Sequence, residues 1–413
     1  MSKQIPEFKD SKIPWIGRIP KHWEIKRISH LYLQRNQKVS DKDFEPLSVT
    51  KQGILPQLEN AAKTNDGDNR KLVKTGDFVI NSRSDRRGSC GISKFDGSVS
   101  LINIVLEPRQ NMNSKYFDWL FHTSLFADEF YKYGNGIVDD LWSTRWDNMK
   151  KISVVYPPLD EQEKIAKFLD SKCEIIDKRL ENLERKIKSL KEYKKSLISE
   201  CVTKGLNSRI LEFKDSKIPW IGKIPKHWEI SKIKYVAKIR SENSSFNAEN
   251  DKYIGLENVA GYLNSLIETN TEYENSIQAV CKKGDILFGK LRPYLSKVII
   301  APFNCFCSSE FLQFINLKCY FKFFYYFLLN KNFIENVNSS TYGAKMPRAN
   351  SNYIMNLNCL VPPLNEQKEI AEFLDKKCEK IDRLNENYTK QITALKEYKK
   401  SLIYECVTGK KEI

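Results

Sequence analysis

The most regular hydrophobic pattern in the chain occurs twice. Apolar residues fall at Leu169, Cys173, Ile176, Leu180, Leu183, Ile187 and Leu190, in alternating steps of four and three, and continue through Leu197 and Cys201. This is the a/d seam of a coiled coil, a face that a helix buries against another helix. Pro157 and Pro158 set its N-terminal boundary, Asp160 is a suitable cap with Glu163 three residues on, and Gly205 stands at the C′ position. About 45 residues at ~1.5 Å each predict a rod roughly 65 Å long. A second helix runs from Asn365 to about Thr408, with Leu374, Cys378, Ile381, Asn385, Tyr388, Ile392, Leu395 and Leu402 on its seam. Asn385 and Tyr388 stand where the first seam has Leu180 and Leu183, so the second seam is more polar. Two such helices in one chain most simply pair with each other. An antiparallel pairing satisfies a twofold axis and predicts two domains at opposite ends of the rod. The seam itself leaves parallel pairing, or pairing with another protein, open.

The segments 31–153 and 236–358 carry shorter patterns of mixed α/β type. In the first, 77–81 (DFVIN) and 99–106 (VSLINIVL) predict strands, and 114–131 predicts a helix capped by Ser114 with Phe117, Leu120, Phe121 and Leu125 on one face. In the second, 285–288 and 311–315 predict the matching strands, and 319–337 the matching helix, rich in Phe and Tyr. A weak frame, K-x-G-D-[FI], is shared at 74–78 and 282–286. One fold with two different surfaces is expected.

Around these middles the chain repeats itself. FKDSKIPWIGRIPKHWEI at 8–25 returns at 213–230 with only Arg18 changed, to Lys223. PPLDEQEKIAKFLDSKCE at 157–174 returns as PPLNEQKEIAEFLDKKCE at 362–379, LKEYKKSLI at 190–198 returns at 395–403, and ECVT at 200–203 returns at 405–408. Every pair is offset by 205 positions, so the chain is a tandem duplication, 1–205 and 206–413. The expected fold class is α/β (mixed α+β): two α/β domains separated by a long antiparallel two-helix coiled coil, in a pseudo-twofold tandem repeat. The expected boundaries are 1–153 and 206–358 for the domains, and 154–205 and 359–413 for the helices. Near-identity of the Pro-Trp phrase argues that Trp15, Trp23, Trp220 and Trp228 bury against a domain core. A base-reading surface should differ between domains that read different sequences.

Charge sharpens this picture. The chain of 413 residues carries a formal net charge of +16, which points to a polyanionic partner, most simply nucleic acid. Yet 31–153 holds 18 Lys/Arg against 16 Asp/Glu, and 236–358 holds 13 against 10. DNA contact therefore requires local clusters. Ser82, Arg83, Arg86 and Arg87 follow the first Gly-Asp strand, and Lys290, Arg292 and Tyr294 follow the second. A later pair of clusters holds Arg145 in the first domain and Lys345 and Arg348 in the second. Arg suits guanine O6/N7, and Lys or Ser suits phosphate; the alternative for each is a solvated loop charge. The run Lys186, Lys188, Lys191, Lys194 and Lys195 is a solvated helix face, or one that lies along DNA or meets an acidic partner.

Catalytic chemistry is not in evidence. The chain has no G-x-x-x-x-G-K-[ST] or G-x-G-x-x-G loop, its four His form no triad or metal set, and C-x-C at Cys305 and Cys307 stands alone. Tyr156-Pro157-Pro158-Leu159 faintly echoes the N-P-P-Y motif of amino-methyltransferases but lacks the Asn or Asp that would hold an amine. The ten Cys read as reduced, small hydrophobes in a cytoplasmic protein without a secretory or membrane-spanning stretch. No catalytic residue, metal or cofactor is expected in this chain.

The chain resembles the specificity (S) subunit of type I restriction–modification enzymes over essentially its whole length. The resemblance rests on W-[IL]-G-x-I-P-x-H-W at 15–23 and 220–228, P-P-L-x-E-Q-x-x-I-A-x-F-L-D at 157–170 and 362–375, and Y-G-x-x-M-P-R at 342–348. Tyr133-Gly134-Asn135-Gly136 departs from the last, with no M-P-R following. The resemblance implies target recognition domains that each read one half of a bipartite double-stranded DNA sequence, with antiparallel helices as a ruler between them. It implies two modification (methyltransferase) subunits bound to the repeated regions, and restriction (endonuclease/translocase) subunits bound through these. S-adenosylmethionine would be held by the modification subunit, and ATP and Mg²⁺ by the restriction subunit. The complex would carry adenine-specific DNA methyltransferase and ATP-dependent endonuclease activity, with this chain non-catalytic. The competing expectation is a coiled-coil scaffold or adaptor that binds DNA nonspecifically.

Overall fold

The computed structural model describes residues 7–57, 67–109, 111–136, 142–206, 212–343 and 345–413. They form two compact units, one of residues 1–182 with 390–413, the other of 183–389.

In the first unit an antiparallel sheet has the strand order Cys90–Ile92, Phe78–Asn81, Asn103–Pro108, Tyr32–Gln34. Alternation along its strands feeds two cores. Phe78, Ile80, Ile104 and Leu106 join Phe117, Phe121, Phe126 and Phe130 in the larger one, while Val79 and Val105 join Leu47, Ile54, Val73 and Val99 in the smaller. The second unit repeats the plan with the order Lys238–Ile239, Phe311–Ile315, Ile286–Gly289, Val298–Ile300. Its second sheet runs Asn243–Phe246, Ser276–Cys281, Cys305–Cys307, Tyr253–Ile254.

The shared K-x-G-D frame is a fastening. The Asp77 carboxylate takes two bonds from Arg35 at 2.7 and 3.1 Å and the Lys74 amide at 2.9 Å. Asp285 does the same with Arg240 at 2.8 and 3.0 Å and with the Lys282 amide at 2.8 Å. The glycines before them sit at φ +93° and +92°, a conformation costly for other residues.

Several expected elements are broken by local hydrogen bonding. The run 99–106 is not one strand: Gly97–Val99 ends in a turn closed by Asn103 N–H to the Ser100 carbonyl at 3.0 Å, which leaves Leu101 and Ile102 exposed. The run 114–131 is two helices, Ser114–Phe121 and Ser124–Lys132. The Thr123 hydroxyl bonds back to the Leu120 carbonyl and also accepts from the Phe126 amide, so it ends one helix and caps the next. Asn113, not Ser114, caps the first. In the second unit Asn330 lies between Phe321–Leu328 and Lys331–Ser339, and its side-chain oxygen caps the second by accepting from the Asn332 and Phe333 amides.

The long helices are Leu159–Lys204 and Leu364–Val407. The first starts before Asp160, which lies in its first turn and is no cap. Pairing is antiparallel: in the first unit Cys173 neighbours Cys406, while Asp177 binds Lys399 at 2.6 Å. In the second unit Lys194 binds Asp382 at 2.7 Å, the same pair displaced by one repeat. Leu169, Ile176, Leu183, Leu374 and Ile381 are buried, whereas Leu180, Ile187, Leu190, Ile392 and Leu395 are half-buried. Ile198, not Leu197, is fully buried, and Lys194 falls inside the seam at 5% exposure beneath the Tyr262 carbonyl. That overturns the solvated or DNA-facing reading of Lys194.

The C-terminal segment completes the first unit. Leu402, Cys406 and Val407 lie in its main core, Tyr116 donates to the Val407 carbonyl at 2.7 Å, and Lys410 donates to the Ile16 carbonyl at 2.7 Å. In the second unit Ile198, Cys201 and Val202 hold the matching place.

Candidate nucleic-acid interface

The Pro-Trp phrase and the start of each helix are two sides of one joint. Trp23 is buried, and its indole N–H donates to one Glu161 oxygen at 2.8 Å while His22 Nε2 lies 2.7 Å from the other. Trp228 and His227 meet Glu366 likewise, at 2.9 and 2.6 Å. Gln162 accepts from the Asn113 amide at 2.9 Å and donates to the Pro157 carbonyl at 2.7 Å; Gln367 does the same with Tyr320 and Pro362. Asp170 takes Trp119 and Lys115, and Asp375 takes Tyr326 and Lys322. The Glu, Gln and Asp of the repeated block are thus bound by their own domain. Trp15 is half-buried edge-on to Phe126, and Trp220 packs on Phe333.

The variable loops converge in each domain. In the first, Thr144 N–H donates to the Ser82 carbonyl at 3.0 Å, Ser84 N–H donates to the Trp142 carbonyl at 2.9 Å, and Ser143 bridges both Arg83 and Asn135. In the second, Ala349 N–H donates to the Lys290 carbonyl at 3.0 Å, Arg292 N–H donates to the Pro347 carbonyl at 2.7 Å, and Arg348 bridges both Leu291 and Tyr342. The backbone therefore equates Ser82 with Lys290, Ser143 with Arg348, and Asn135-Gly136 with Tyr342-Gly343. Tyr133-Gly134 is not the counterpart of Tyr342-Gly343, and Arg145 matches Asn350 rather than Arg348. Arg145 and Asn350 each precede a short helix, Trp146–Met149 and Ser351–Asn356. Counting back from those helices would have given the register.

Individual candidates differ in availability. Ser82 is buried beneath the loop. Arg83 binds Asp85 at 3.0 Å, Arg86 lies 3.7 Å from the same carboxylate, and Arg87 pairs with Asp128. Arg145 is exposed and makes no ion pair with a described residue. Lys290 is half-buried, and burial lowers its pKa despite nearby Glu310. Arg292 is exposed, with one guanidinium nitrogen 3.3 Å from the Lys345 carbonyl, and Arg348 pairs with Glu310. Tyr294 and Lys345 are exposed. Arg292 and Ser296 sit at φ +50° and +52°, so this loop is held in a conformation that non-glycine residues avoid. Tyr342 and Met346 of the Y-G-x-x-M-P-R motif are exposed beside these groups, and sequence reasoning missed Glu310 beneath them.

Of the helix lysines, Lys186 lies over the Tyr388 ring at 5.7 Å and Lys195 binds Glu192 at 2.8 Å; Lys188 and Lys191 are exposed. All ten Cys are free thiols. Among the described residues no cluster could hold a metal ion, and no helix is long and apolar enough to cross a membrane.

Comparison with known proteins places this architecture. A family model described as the type I restriction modification DNA specificity domain matches twice, at residues 20–191 and 225–394. The type I restriction enzyme MjaVIII specificity subunit of Methanocaldococcus jannaschii is 27% identical over 423 residues, spanning 95% of this chain and 94% of that protein. The EcoDI specificity subunit of Escherichia coli is 22% identical over 345 residues, spanning 78% and 76%. A solved chain from work on complex assembly and conformational transition of the type I R-M system aligns with a TM-score of 0.71 at 13% identity, covering 94% of this chain and 98% of that one. The HsdS subunit from Thermoanaerobacter tengcongensis aligns with a TM-score of 0.54 at 14% identity, covering 95% and 98%. Such structural likeness speaks for the fold, whereas the family matches take in most of both repeats. The chain belongs to the type I restriction modification DNA specificity domain family.

Proposed function

We propose that the chain is the non-catalytic specificity subunit of a type I restriction–modification complex, in which each domain reads one half of a bipartite double-stranded DNA target. The observation that carries this is the pair of joined loops. The same backbone frame carries the exposed Arg86, Arg87 and Arg145 in one domain and Arg292, Tyr294 and Lys345 in the other. Readers of different sequences need one rigid support and different edge groups.

The antiparallel helices, of 46 and 44 residues, support a spacer role. Residues that are identical in both repeats and exposed in both support two docking sites for one kind of partner, the modification subunit. The large hydrophobic ones are Ile25 and Ile230, Leu159 and Leu364, and Tyr193 and Tyr398. Restriction subunits would join through it. S-adenosylmethionine, ATP and Mg²⁺ belong to those partners, which supply adenine methylation and DNA cleavage in the cytoplasm.

Replacing 31–153 with the span from a relative, and mapping methylation by the assembled complex, is expected to change one half-site only. Change in both half-sites, or in neither, overturns modular reading. Inserting one four-residue turn, ~6 Å, in a helix is expected to alter the spacer and leave both half-sites intact. A nonspecific scaffold would instead be displaced equally by any duplex, with a steep salt dependence.

A further inference from the structure

We infer that Glu310 sets the specificity of the second domain without touching DNA, as a positioning residue that holds the two reading loops in one geometry. This rests on the proposed DNA-reading role. Glu310 directly precedes the strand Phe311–Ile315. Its carbonyl accepts the Lys290 amide at 2.9 Å, at the start of one loop. Its carboxylate binds Arg348, at the end of the other. Arg348 in turn bridges Leu291 and Tyr342, so one acidic residue is linked to both loops and to the strand beneath them.

The groups around this link suit such a role. The Glu310 side chain is 20% exposed, and its second oxygen is buried without a hydrogen-bond partner. A carboxylate in that state constrains the cations near it, because an unpaired buried oxygen is costly. Two such cations are Arg348, paired with it, and the half-buried Lys290. The loop between them is already committed, with Arg292 and Ser296 left-handed and Leu295 N–H bonded to the Arg292 carbonyl at 2.9 Å. Side chains left outward on this frame are Tyr294, Tyr342, Lys345 and Met346, a mixed aromatic, thioether and ammonium surface that fits base edges and thymine methyls. Arg348 itself, held from below, is a fastener before it is a reader.

The first domain lacks this device. Ladder register equates Asn81–Asn103 with Gly289–Phe311, so the position of Glu310 is taken by Ile102, which is exposed, and that of Arg348 by Ser143. There the loop is fixed instead by Asn81, whose side chain accepts the Arg83 amide at 3.1 Å and whose carbonyl accepts the Tyr131 hydroxyl at 2.9 Å.

The test uses the full chain assembled with its modification subunits, and duplexes carrying single-base changes in one half-site at a time. Glu310→Gln and Glu310→Ala are expected to reduce discrimination within the second half-site roughly tenfold, the size of one lost base contact. Discrimination in the first half-site is expected to stay unchanged, with the thermal transition of the chain retained. The charge swap Glu310→Arg with Arg348→Glu is expected to recover part of the loss. Wild-type discrimination in both Glu310 variants overturns the inference, and so does a loss spread equally over both half-sites. A wild-type complex that does not discriminate among duplexes at all overturns the DNA-reading proposal itself, a separate result.

Discussion

The two units share almost every fastening and differ in what the variable domain lays over it. In the second unit Lys194 binds Asp382 and also donates to the Tyr262 carbonyl at 2.7 Å, and its side chain is only 7% exposed. In the first, Lys399 makes the same pair with Asp177, but its side chain is 24% exposed. The helix groove there is an open cavity of ~460 Å³ lined by Asp177, Leu180, Lys399 and Ile403. Ile198, the counterpart of Ile403, is fully buried in the second unit. A duplicated ion pair is therefore not a duplicated energy. Its worth depends on the dielectric set by residues that the duplication did not keep.

The largest expected effect tests the feature the units share. Trp23→Ala and Trp228→Ala each remove a buried indole and leave Glu161 or Glu366 short of a donor. A loss of about 3–5 kcal/mol is expected, confined to the mutated unit. Hydrogen exchange resolved by segment checks this, and equal softening of both units would break the account of the joint.

The next effect tests where they differ. Lys194→Ala strands Asp382 and the Tyr262 carbonyl, so a loss of about 1–3 kcal/mol is expected. Lys399→Ala, at the solvated pair, should cost below ~1 kcal/mol. Equal losses in denaturant titrations would remove the contrast.

The last concerns the chain end. Gly409 sits at φ +71°, and a Cβ there would come within 2.4 Å of the Pro20 ring and 2.9 Å of the Trp23 ring. Gly409→Ala should cost more than about 1 kcal/mol in the first unit alone and speed proteolysis of the tail. Unchanged cleavage would show that the tail is not seated there.

Much of the architecture was legible because the chain can be compared with itself. The repeat marked the Pro-Trp phrase and the Pro-Pro-Leu block as scaffold, and the structure joins them through Trp23 and Glu161. Helix breaks were not legible, because Thr123 and Asn330 sit within apolar runs that look continuous until their capping bonds are seen. The seam register differs at Ile198, while Leu402 keeps the expected register in the other helix, because the covering domain and not the repeat decides which residue is buried. Arg83 and Arg87 were visible as charge, but the carboxylates answering them, Asp85 and Asp128, act through folded geometry, in one case 41 positions away. Glu310 carried no signal at all, because its partner Arg348 lies 38 positions on and the first repeat has Ile102 in its place.

The seating of Cys406 and Val407 in the first core has a consequence for biosynthesis. The second unit is one uninterrupted stretch, 183–389, whereas the first needs residues from both ends of the chain. A ribosome working at about 5–20 residues per second would release all of the second unit while the first still lacked its last strip of core. The part made first is thus finished last, and a message cut short near its end would yield a protein with one sound half and one that never closes.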